Sequence, residues 1–358
     1  MNTLRLKLDP NRLDRFEGRK AIGRAAEILR SGGLVATPTE TVYGLAANAL
    51  DATAVARIFA AKERPTWDPI IVHIAGQVVG GEMLDNLVTE IPEAAQKLMR
   101  AFWPGPLTLL LPRSTAVPDS VTASRPMVGV RMPAHPVAFE LIRKAGVPLA
   151  APSANLFGHT SPTTAEHVLD DLDGRIDAIL DAGPTLHGVE STVVDPCQEP
   201  LVIYRPGAIT ADEIRRIAGP AKLFQTSNPL SIASMEALPS PGVGLRHYAP
   251  RARLALLEVP LDRLPSRLSE AVESNINERI GLMLFSEFEA EGRAFPGVLV
   301  FPWGHSTDSV ELAHNLFAGL RSLDAQGCTL IICPLPTDSG IGTAIRDRLR
   351  KAAQPSEK

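Results

Sequence analysis

Short apolar runs alternate with amphipathic stretches along the first half of the chain. The runs have the length of buried strands, and they are LVATP (34–38), IIVHI (70–74), LTLLL (107–111), VGVRMP (128–133) and VPLAAP (147–152). Between them, apolar residues recur at helical spacing, which predicts helices over 19–31, 52–64, 91–101, 135–145 and 163–171. Asp51 stands where it could cap the second of these helices.

Three apolar runs follow closely on one another, and they are AILDAG (178–183), STVVD (191–195) and LVIYRPG (201–207). Helices therefore alternate with strands at first, and strands then follow strands without intervening helices. This order predicts an α/β domain built on a twisted mixed sheet, because a purely parallel sheet needs a crossover between every pair of strands.

The composition changes over residues 219–250, which are rich in Pro, Ser and Gly and lack sustained periodicity. Such a segment is typical of a linker. Beyond it, strands are predicted at 253–259, 279–285, 298–301 and 329–335, with helices at 262–276, 308–324 and 342–353. We therefore expect a larger α/β domain at 1–218, a linker at 219–250 and a smaller Rossmann-like α/β domain at 251–358.

Composition excludes several classes of protein. The formal net charge is −4 and the pI is near 6.1, so no overall basic field favours nucleic acid or a membrane surface. The three cysteines favour a reducing compartment, and we expect a cytoplasmic protein without signal peptide or membrane span. No GxxxxGK[ST], GxGxxG or GxSxG string occurs, so a P-loop, a dinucleotide fold and a serine nucleophile are not expected.

Two polar strings stand at the ends of predicted elements. PTETVYGL (38–45) follows a strand, where open α/β sheets collect ligands, although it could also be a tight turn with capping threonines. Lys62 and Arg64 are two apart at the end of a predicted helix. If the helix ends there, both cations can face one pocket and bind polyphosphate. The alternative is that both cations only stabilise the C-terminus of the helix by interacting with its dipole.

Further polar strings adjoin later strands. Ser153 and Asn155 follow VPLAAP, and their hydroxyl and amide could bind phosphate oxygens or a metal-bound water; ordinary Asx and Ser turn chemistry is the alternative. The strings GVESTVVD (188–195) and YRPG (204–207) are weak signals when each is taken alone.

Taken together, these strings resemble the YrdC-like family of threonylcarbamoyl-AMP synthases. The matching stretches are PTETVYGLAANA (38–49), KERPTWDPIIVHI (62–74), FWPGPLTLLL (102–111), VGVRMPAHP (128–136), PLAAPSANLFGHTSPTTAEHV (148–168), ESTVVD (190–195) and IYRPGAIT (203–210). SPGVGLRHYAP (240–250) and SGIGTAIRDRLRKAA (339–353) resemble the linker and closing helix of the longer members, which carry an accessory domain.

The resemblance implies an enzyme that makes threonylcarbamoyl-AMP and pyrophosphate from ATP, L-threonine and bicarbonate or CO2. Mg²⁺ would accompany ATP. The product would supply a threonylcarbamoyl group for an adenosine beside the tRNA anticodon, and a downstream partner, a tRNA threonylcarbamoyl transferase, would perform that transfer. Direct tRNA contact would be secondary.

The resemblance also implies roles for individual residues. The signature tetrad of two cations and two small polar groups is matched by Lys62, Arg64, Ser153 and Asn155. The threonine contacts would be Thr41, His73, Arg131, Ala151 and Ser191. The ATP contacts would be Arg64, Asp68, Met127, Ser153, Ser161, Arg205 and His247. For His73, which lies in an apolar strand, a buried core role is the competing explanation.

Two positions depart from the family pattern. Asp68 stands where the family usually has Asn, and Met127 stands where it often has a hydroxyl residue. An aspartate beside triphosphate is repulsive unless it turns away or reaches Mg²⁺, while methionine can pack on adenine but cannot donate a hydrogen bond to it.

Two alternatives remain open at this point. Arg246, His247 and Tyr248 follow a Gly-rich bend, and they are either a lid that excludes water from a hydrolysable product or part of an ordinary tether. The chain as a whole could instead be a module that binds double-stranded RNA or tRNA. The net charge disfavours that reading.

Overall fold

The computed structural model describes residues 2–225, 238–240, 242–243 and 248–354. Contacts divide the chain into two compact units. Unit 1 comprises Met1–Phe157, Pro162–Leu186 and Glu190–Gly244, and unit 2 comprises Gly158–Ser161, His187–Val189 and Leu245–Lys358. Two short segments from the first 190 residues therefore group with unit 2.

Unit 1 contains a large mixed sheet. Its strands in the described residues are β1 (Leu4–Lys7), β2 (Val35–Pro38), β3 (Tyr43–Asn48), β4 (Ile71–His73), β5 (Leu107–Pro112), β6 (Met127–Arg131), β7 (Leu149–Ala150), β8 (Ala178–Asp181), β9 (Thr192–Asp195), β10 (Leu201–Arg205) and β11 (Ala221–Leu223). They lie in the order β1-β8-β2-β3-β7-β4-β6-β5-β9-β10-β11. The sheet contains parallel pairs such as β4·β6 and antiparallel pairs such as β5·β6, so the predicted mixed sheet is confirmed.

Helices cover both faces of this sheet. They are α1 (Phe16–Arg30), α2 (Ala52–Lys62), α3 (Glu82–Leu87), α4 (Glu93–Phe102), α5 (Asp119–Thr122), α6 (Pro136–Ala145), α7 (Ala165–Leu172) and α8 (Ala211–Ala218). Asp51 caps α2 as expected, since its Oδ1 accepts from the backbone N–H groups of Thr53 and Ala54 at 2.9 and 3.2 Å. Neighbouring strand residues divide between two cores: Ala36 joins one apolar cluster, and Val35 joins the other, which α1 and α6 cover.

One row of residues crosses six strands of the sheet on the same face, because partners in register project to the same side. Starting from β7, the row is Leu149, His73, Arg131, Thr108, Val193 and Arg205. Leu149 belongs to the apolar cluster under α1 and α6. The same face of the sheet thus begins as ordinary core and then carries polar side chains on β4, β6, β5 and β10.

Unit 2 holds a smaller, parallel sheet. Its strands are β12 (Arg253–Leu257), β13 (Ile280–Phe285), β14 (Leu299–Gly304) and β15 (Leu330–Pro334), in the order β12-β15-β13-β14. Its helices in the described residues are α9 (Leu264–Glu273), α10 (Glu289–Arg293), α11 (Ser309–Ala325) and α12 (Gly342–Ala352). All the strand pairs are parallel, which confirms the predicted Rossmann-like α/β class.

Several elements have no counterpart in the sequence prediction, namely β1, β3, β11, α3, α5, α8 and α10. The range 221–223 lies in the segment interpreted as linker, yet it pairs in parallel with β10 and extends the large sheet. Among the described residues, the structure has no helix with the length and apolar character that crossing a membrane requires.

Candidate active site

The end of α2 brings two cations together. Lys62 is the last helical residue, and Glu63 follows in the left-handed conformation with φ 53°. This single residue reverses the chain, so that Lys62 and Arg64 are both buried while the Glu63 side chain is exposed. Glu63 pairs with Arg175 at 2.6 Å. Both buried cations act on the charge of Asp68, and their predicted role in binding polyphosphate stays a prediction.

Lys62 ties the end of α2 to the loop after β7. Its Nζ donates to the backbone carbonyl of Ser153 at 2.5 Å and to that of Asn155. The Asn155 side chain in turn donates from Nδ2 to the Leu156 carbonyl at 2.7 Å. Burial lowers the pKa of Lys62 well below the usual 10.5, and the charge of Arg64 lowers it further. The predicted tetrad thus meets at one place, with Lys62 holding the backbone of the other two polar residues.

Arg64 and Asp68 form a buried ion pair beside Lys62. The Arg64 Nη2 lies 2.9 Å from Asp68 Oδ2 and donates to the Pro69 carbonyl at 2.8 Å, and its Nε donates to the Asp68 carbonyl at 3.1 Å. Burial raises the pKa of Asp68 against the opposing influence of Arg64, Lys62 and Arg205. We call Lys62, Arg64 and Asp68 the Lys62 cluster. The charge of Asp171 also acts on Lys62 and that of Arg205 on Asp68, so that three cations face two carboxylates around it.

A second buried ion pair lies on β6. Arg131 Nη2 is 2.7 Å from Glu40 Oε1, its Nη1 donates to Thr41 Oγ1 at 2.9 Å, and its Nε donates to the Gly105 carbonyl at 3.2 Å. Burial would raise the pKa of Glu40, but the Arg131 guanidinium together with the backbone N–H groups of Glu40 and Ala134 outweighs that effect, and the pKa is lowered. We call Arg131, Glu40 and Thr41 the Arg131 cluster; its charges cancel.

A third polar group joins β9, β10 and β5. Arg205 donates from Nε to the Ser191 carbonyl and from Nη2 to Ser191 Oγ, both at 3.0 Å. The Ser191 and Thr108 hydroxyl oxygens are 2.8 Å apart. Gly207 allows the close approach of the two chains here, because a Cβ at that position would lie 2.4 Å from the Thr192 nitrogen. The predicted threonine contact Ser191 and the predicted ATP contact Arg205 therefore share one hydrogen-bond group.

Two further residues are predicted to contact threonine: His73, which belongs to the row, and Ala151, which follows β7. His73 is buried, with Arg131 and Leu149 as its register partners. Burial lowers the pKa of His73 to about 3, with the charge of Arg131 acting in the same direction, so its imidazole is neutral. Ala151 is buried as well, and its N–H donates to the Ile71 carbonyl at 2.9 Å. Both explanations for His73, a core residue and a ligand contact, are compatible with this placement.

An apolar patch continues the same face. Met127 and Tyr204 pack against Ile71, Leu110 and Val193. The Tyr204 ring lies 4.9 Å from the Phe224 ring, measured between centroids. Met127 thus belongs to a surface on which a planar apolar group could pack.

The four remaining predicted residues lie in unit 2 or outside the described residues. Ser161 is fully buried in the segment that groups with unit 2. Arg246 and His247 lie outside the described residues. Tyr248 is buried in unit 2, where its ring stacks on Phe317 at 5.8 Å and lies 5.0 Å from the Arg348 guanidinium carbon. Their predicted roles stay predictions.

The available donor groups limit how this site could bind a metal ion. Among the described residues, no group of three or more His, Cys, Asp and Glu side chains could hold a metal ion. Mg²⁺ in nucleotide sites usually takes one or two carboxylates together with substrate phosphates and water. Asp68 Oδ1 is a buried carboxylate oxygen with no hydrogen-bond partner among the described residues. The residues present therefore fit a cation that brings its own phosphate ligands.

The sequence prediction did not single out Glu40 or Thr108. Glu40 is the one charged residue of PTETVYGL, and Thr108 is the one polar residue of LTLLLP. A lone hydroxyl in an apolar strand is the one local signal for Thr108, since it breaks the pattern of a fully buried strand. For Glu40 the signal is a carboxylate directly after a strand that is expected to be buried, because a carboxylate is buried only when it has a partner.

Comparison with known proteins covers both units. The Sua5/YciO/YrdC family model, described as "Telomere recombination", matches residues 27–207, and the model "Threonylcarbamoyl-AMP synthase, C-terminal domain" matches residues 209–354. The threonylcarbamoyl-AMP synthase of Pyrococcus abyssi is 43% identical over 92% of this chain and 93% of its own length. That of Bacillus subtilis is also 43% identical, over 93% of this chain and 92% of its own length.

The fold agrees with a solved relative. The crystal structure of Pyrococcus abyssi Sua5 complexed with L-threonine is similar to this chain with a TM-score of 0.86 and 39% identity, over 99% of this chain and 98% of the other. Both domain models match in order, and the relatives are covered almost completely. The chain therefore belongs to the threonylcarbamoyl-AMP synthase family, as a member of the long, two-domain Sua5 type.

Proposed function

We propose that this enzyme condenses L-threonine, bicarbonate or CO2, and ATP into threonylcarbamoyl-AMP and pyrophosphate. The observation that carries the proposal is the burial of two unlike charged clusters in unit 1: the Lys62 cluster with excess positive charge, and the charge-balanced Arg131 cluster on the sheet row. A polyanionic nucleotide suits the first, and a zwitterionic amino acid suits the second. The family relationship supports the same assignment.

The chemistry needs alignment and charge neutralisation. The threonine amine takes up CO2 to form a carbamate and releases a proton. A carbamate oxygen then attacks the α-phosphorus of ATP, the bond from that phosphorus to the bridging oxygen breaks, and pyrophosphate leaves. No covalent bond to the protein is required, so positioned cations and hydrogen-bond donors can supply the catalysis.

On the threonine side, Arg131 is the partner that we assign to the substrate carboxylate. Hydrogen bonds to Thr41 and to the Gly105 carbonyl fix its guanidinium beside Glu40, so little orientation entropy is left to lose on binding. Ser191 is held by Arg205 and Thr108, and it is assigned to the same substrate. Neutral His73 adds a hydrogen-bonding group without adding charge.

On the nucleotide side, we assign Lys62, Arg64 and Arg205 to phosphate charge and Ser153 and Asn155 to phosphate oxygens. Two of the three Lys62 N–H groups hold the Ser153 and Asn155 carbonyls, so the ammonium group both shapes the loop and faces the ligand. Met127 and the apolar patch are assigned to adenine. Mg²⁺ bound with ATP would neutralise phosphate charge when present.

Other parts of the reaction cycle remain predictions. They are bicarbonate as the carbon source, release of the product to a tRNA threonylcarbamoyl transferase, a cytoplasmic location, and a lid formed by Arg246, His247 and Tyr248. Deleting residues 236–358 tests the lid, since unchanged synthase activity and ligand affinity would exclude it. No contact in the described residues favours the alternative of an RNA-binding module.

One experiment tests the reaction itself. The protein is incubated with ATP, Mg²⁺, bicarbonate and labelled threonine, and pyrophosphate and a labelled adenylate are measured. We expect both products, with pyrophosphate release that depends on threonine and on bicarbonate. Release of pyrophosphate without threonine, or none at all, contradicts the proposal.

A further inference from the structure

Asp68 occupies an unusual place among the cations of unit 1. Its side chain is 1% exposed, and its charge interacts with those of Arg64, Lys62 and Arg205. One carboxylate oxygen, Oδ2, is 2.9 Å from Arg64 Nη2. The other, Oδ1, is buried and has no hydrogen-bond partner among the described residues. One oxygen of Asp68 therefore pairs with Arg64, and the other has no partner among the described residues.

An unused buried carboxylate oxygen is costly, because its hydration is lost without compensation. Such a group in a native protein calls for an explanation, and a bound water, an ion or a catalytic role is the usual one. Here the neighbouring cations all belong to residues that we assign to phosphate binding. A ligand that satisfies Oδ1 must therefore be compatible with an adjacent triphosphate.

A divalent cation meets that condition better than a second anion or a neutral donor. The triphosphate would repel a bare carboxylate at this place, whereas a cation between them attracts both. Mg²⁺ and Mn²⁺ favour carboxylate and phosphate oxygens, and they often take only one or two carboxylates from the protein. The absence of any larger ligand group among the described residues agrees with this low count.

We propose that Asp68 Oδ1 is a protein ligand of the divalent cation that accompanies ATP, and that it makes nucleotide binding depend on that cation. The proposal rests on the proposed function, since it assumes that the Lys62 cluster binds the nucleotide. Without the cation, Asp68 opposes the nucleotide; with it, Asp68 contributes a ligand. An asparagine at this position offers a neutral oxygen and would lose both effects.

The test measures cation affinity directly. Wild-type protein, Asp68→Asn and the control Glu63→Gln are saturated with a non-hydrolysable ATP analogue, and Mn²⁺ binding is followed through the electron paramagnetic resonance signal of free Mn²⁺. Asn is close to Asp in shape, which protects the fold. Glu63→Gln removes one negative charge from a nearby exposed side chain that pairs with Arg175. It therefore controls for net charge.

We expect Asp68→Asn to weaken Mn²⁺ binding to the protein–analogue complex by about tenfold or more, as loss of one charged ligand should. Glu63→Gln should stay near wild type. By linkage, the ratio of analogue affinity with Mg²⁺ to that with EDTA should shrink by the same factor in Asp68→Asn.

The contrary outcomes are distinct. Unchanged or tighter Mn²⁺ binding in Asp68→Asn, with the analogue bound equally more tightly with and without metal, would show that Asp68 is only the counter-ion of Arg64 and would overturn the proposal. If wild-type protein binds the analogue under neither condition, the proposed function fails instead.

Discussion

The Lys62 and Arg131 clusters bury charge in opposite ways. In the Arg131 cluster one guanidinium meets one carboxylate, and the pKa of Glu40 is lowered because Arg131 together with backbone N–H groups outweighs burial. In the Lys62 cluster two cations meet one carboxylate, and burial dominates: the pKa of Lys62 is lowered and that of Asp68 is raised. The first cluster is electrically complete, and the second is not.

This difference indicates which kind of ligand each cluster can bind. A charge-balanced cluster can accept a zwitterion without changing its net charge, and its orientation is already set by internal bonds. A cluster with excess buried positive charge is stabilised when an anion arrives, which also favours the protonated form of Lys62. The contrast separates a preformed amino-acid site from a nucleotide site that its ligand completes.

The largest difference between the clusters should appear when Glu40 loses its buried partner Arg131. Arg131→Met should lower the free energy of unfolding by about 3–5 kcal/mol, because Glu40 is left buried without its partner. Glu40→Met in the same chain should restore much of the loss. Urea unfolding followed by Trp fluorescence measures both, in a Trp303→Phe background so that Trp67 and Trp103 report on unit 1.

Arg143→Met is the matched control for that experiment. Arg143 pairs with Glu140 on the exposed side of α6, so its loss should cost less than about 1 kcal/mol. Equal costs for Arg131→Met and Arg143→Met, or no recovery in the double variant, would contradict a buried, charge-balanced cluster.

The second prediction concerns the excess charge. Lys62→Met should reduce threonine-dependent pyrophosphate release at least about a hundredfold, because both a phosphate partner and the tie to the Ser153 and Asn155 carbonyls are lost. Lys97→Met, which alters an exposed pair with Glu93 on α4, should leave the rate unchanged. Full activity of Lys62→Met in a folded protein would remove Lys62 from the site.

A smaller change should separate the two substrates. Thr108→Val removes the hydroxyl partner of Ser191 while keeping the shape, which costs about 1 kcal/mol for one hydrogen bond. We expect threonine affinity, measured by calorimetry, to fall several-fold while ATP-analogue affinity holds. Thr108→Ser should retain threonine binding; a parallel loss of nucleotide affinity in Thr108→Val would argue against separate sites.

The smallest effect is a difference in acid sensitivity. The pKa of Glu40 lies below its usual 4.5, so its stabilisation is present above that value and is lost as pH falls through the lowered pKa. The pKa of Asp68 lies above its usual 3.8, so protonation on acidification adds stability. Between about pH 5 and pH 3, Glu40→Gln should therefore lose less stability than wild type, and Asp68→Asn should lose more. Urea midpoints across this range check the sign, and equal slopes for both variants would contradict the assignment.

Much of the fold was predictable from the apolar pattern. Buried strands such as β2 and β5 and the capped helix α2 are continuous apolar or amphipathic runs, so one local period is enough. β3 escapes the apolar pattern because its first residues, 43–45, belong to the polar string PTETVYGL, which indicates a ligand site or a tight turn rather than a strand. β1 and β11 were missed because they are short strands whose exposed charged residues break the apolar pattern, and β1 and β11 are the two edges of the sheet.

The site was predictable in its residues and less so in its pairing. Lys62 and Arg64 are two residues apart in sequence, and the helix end decides their direction. By contrast, the row from His73 to Arg205 arises from the strand order β7-β4-β6-β5-β9-β10, which no local pattern encodes. Glu40 could not be matched with Arg131, or Thr108 with Ser191, until that order was known.

The left-handed residue between the two cations has a consequence for how this chain can vary. Glu63 has φ 53°, a conformation that glycine and asparagine adopt readily and that β-branched residues resist. In a saturation library selected for stable protein, position 63 should accumulate Gly and Asn and lose Val, Ile, Thr and Pro. That is the reverse of selection for helix continuation. A one-residue insertion between Lys62 and Arg64 should be purged altogether, since spacing and handedness together aim the two side chains.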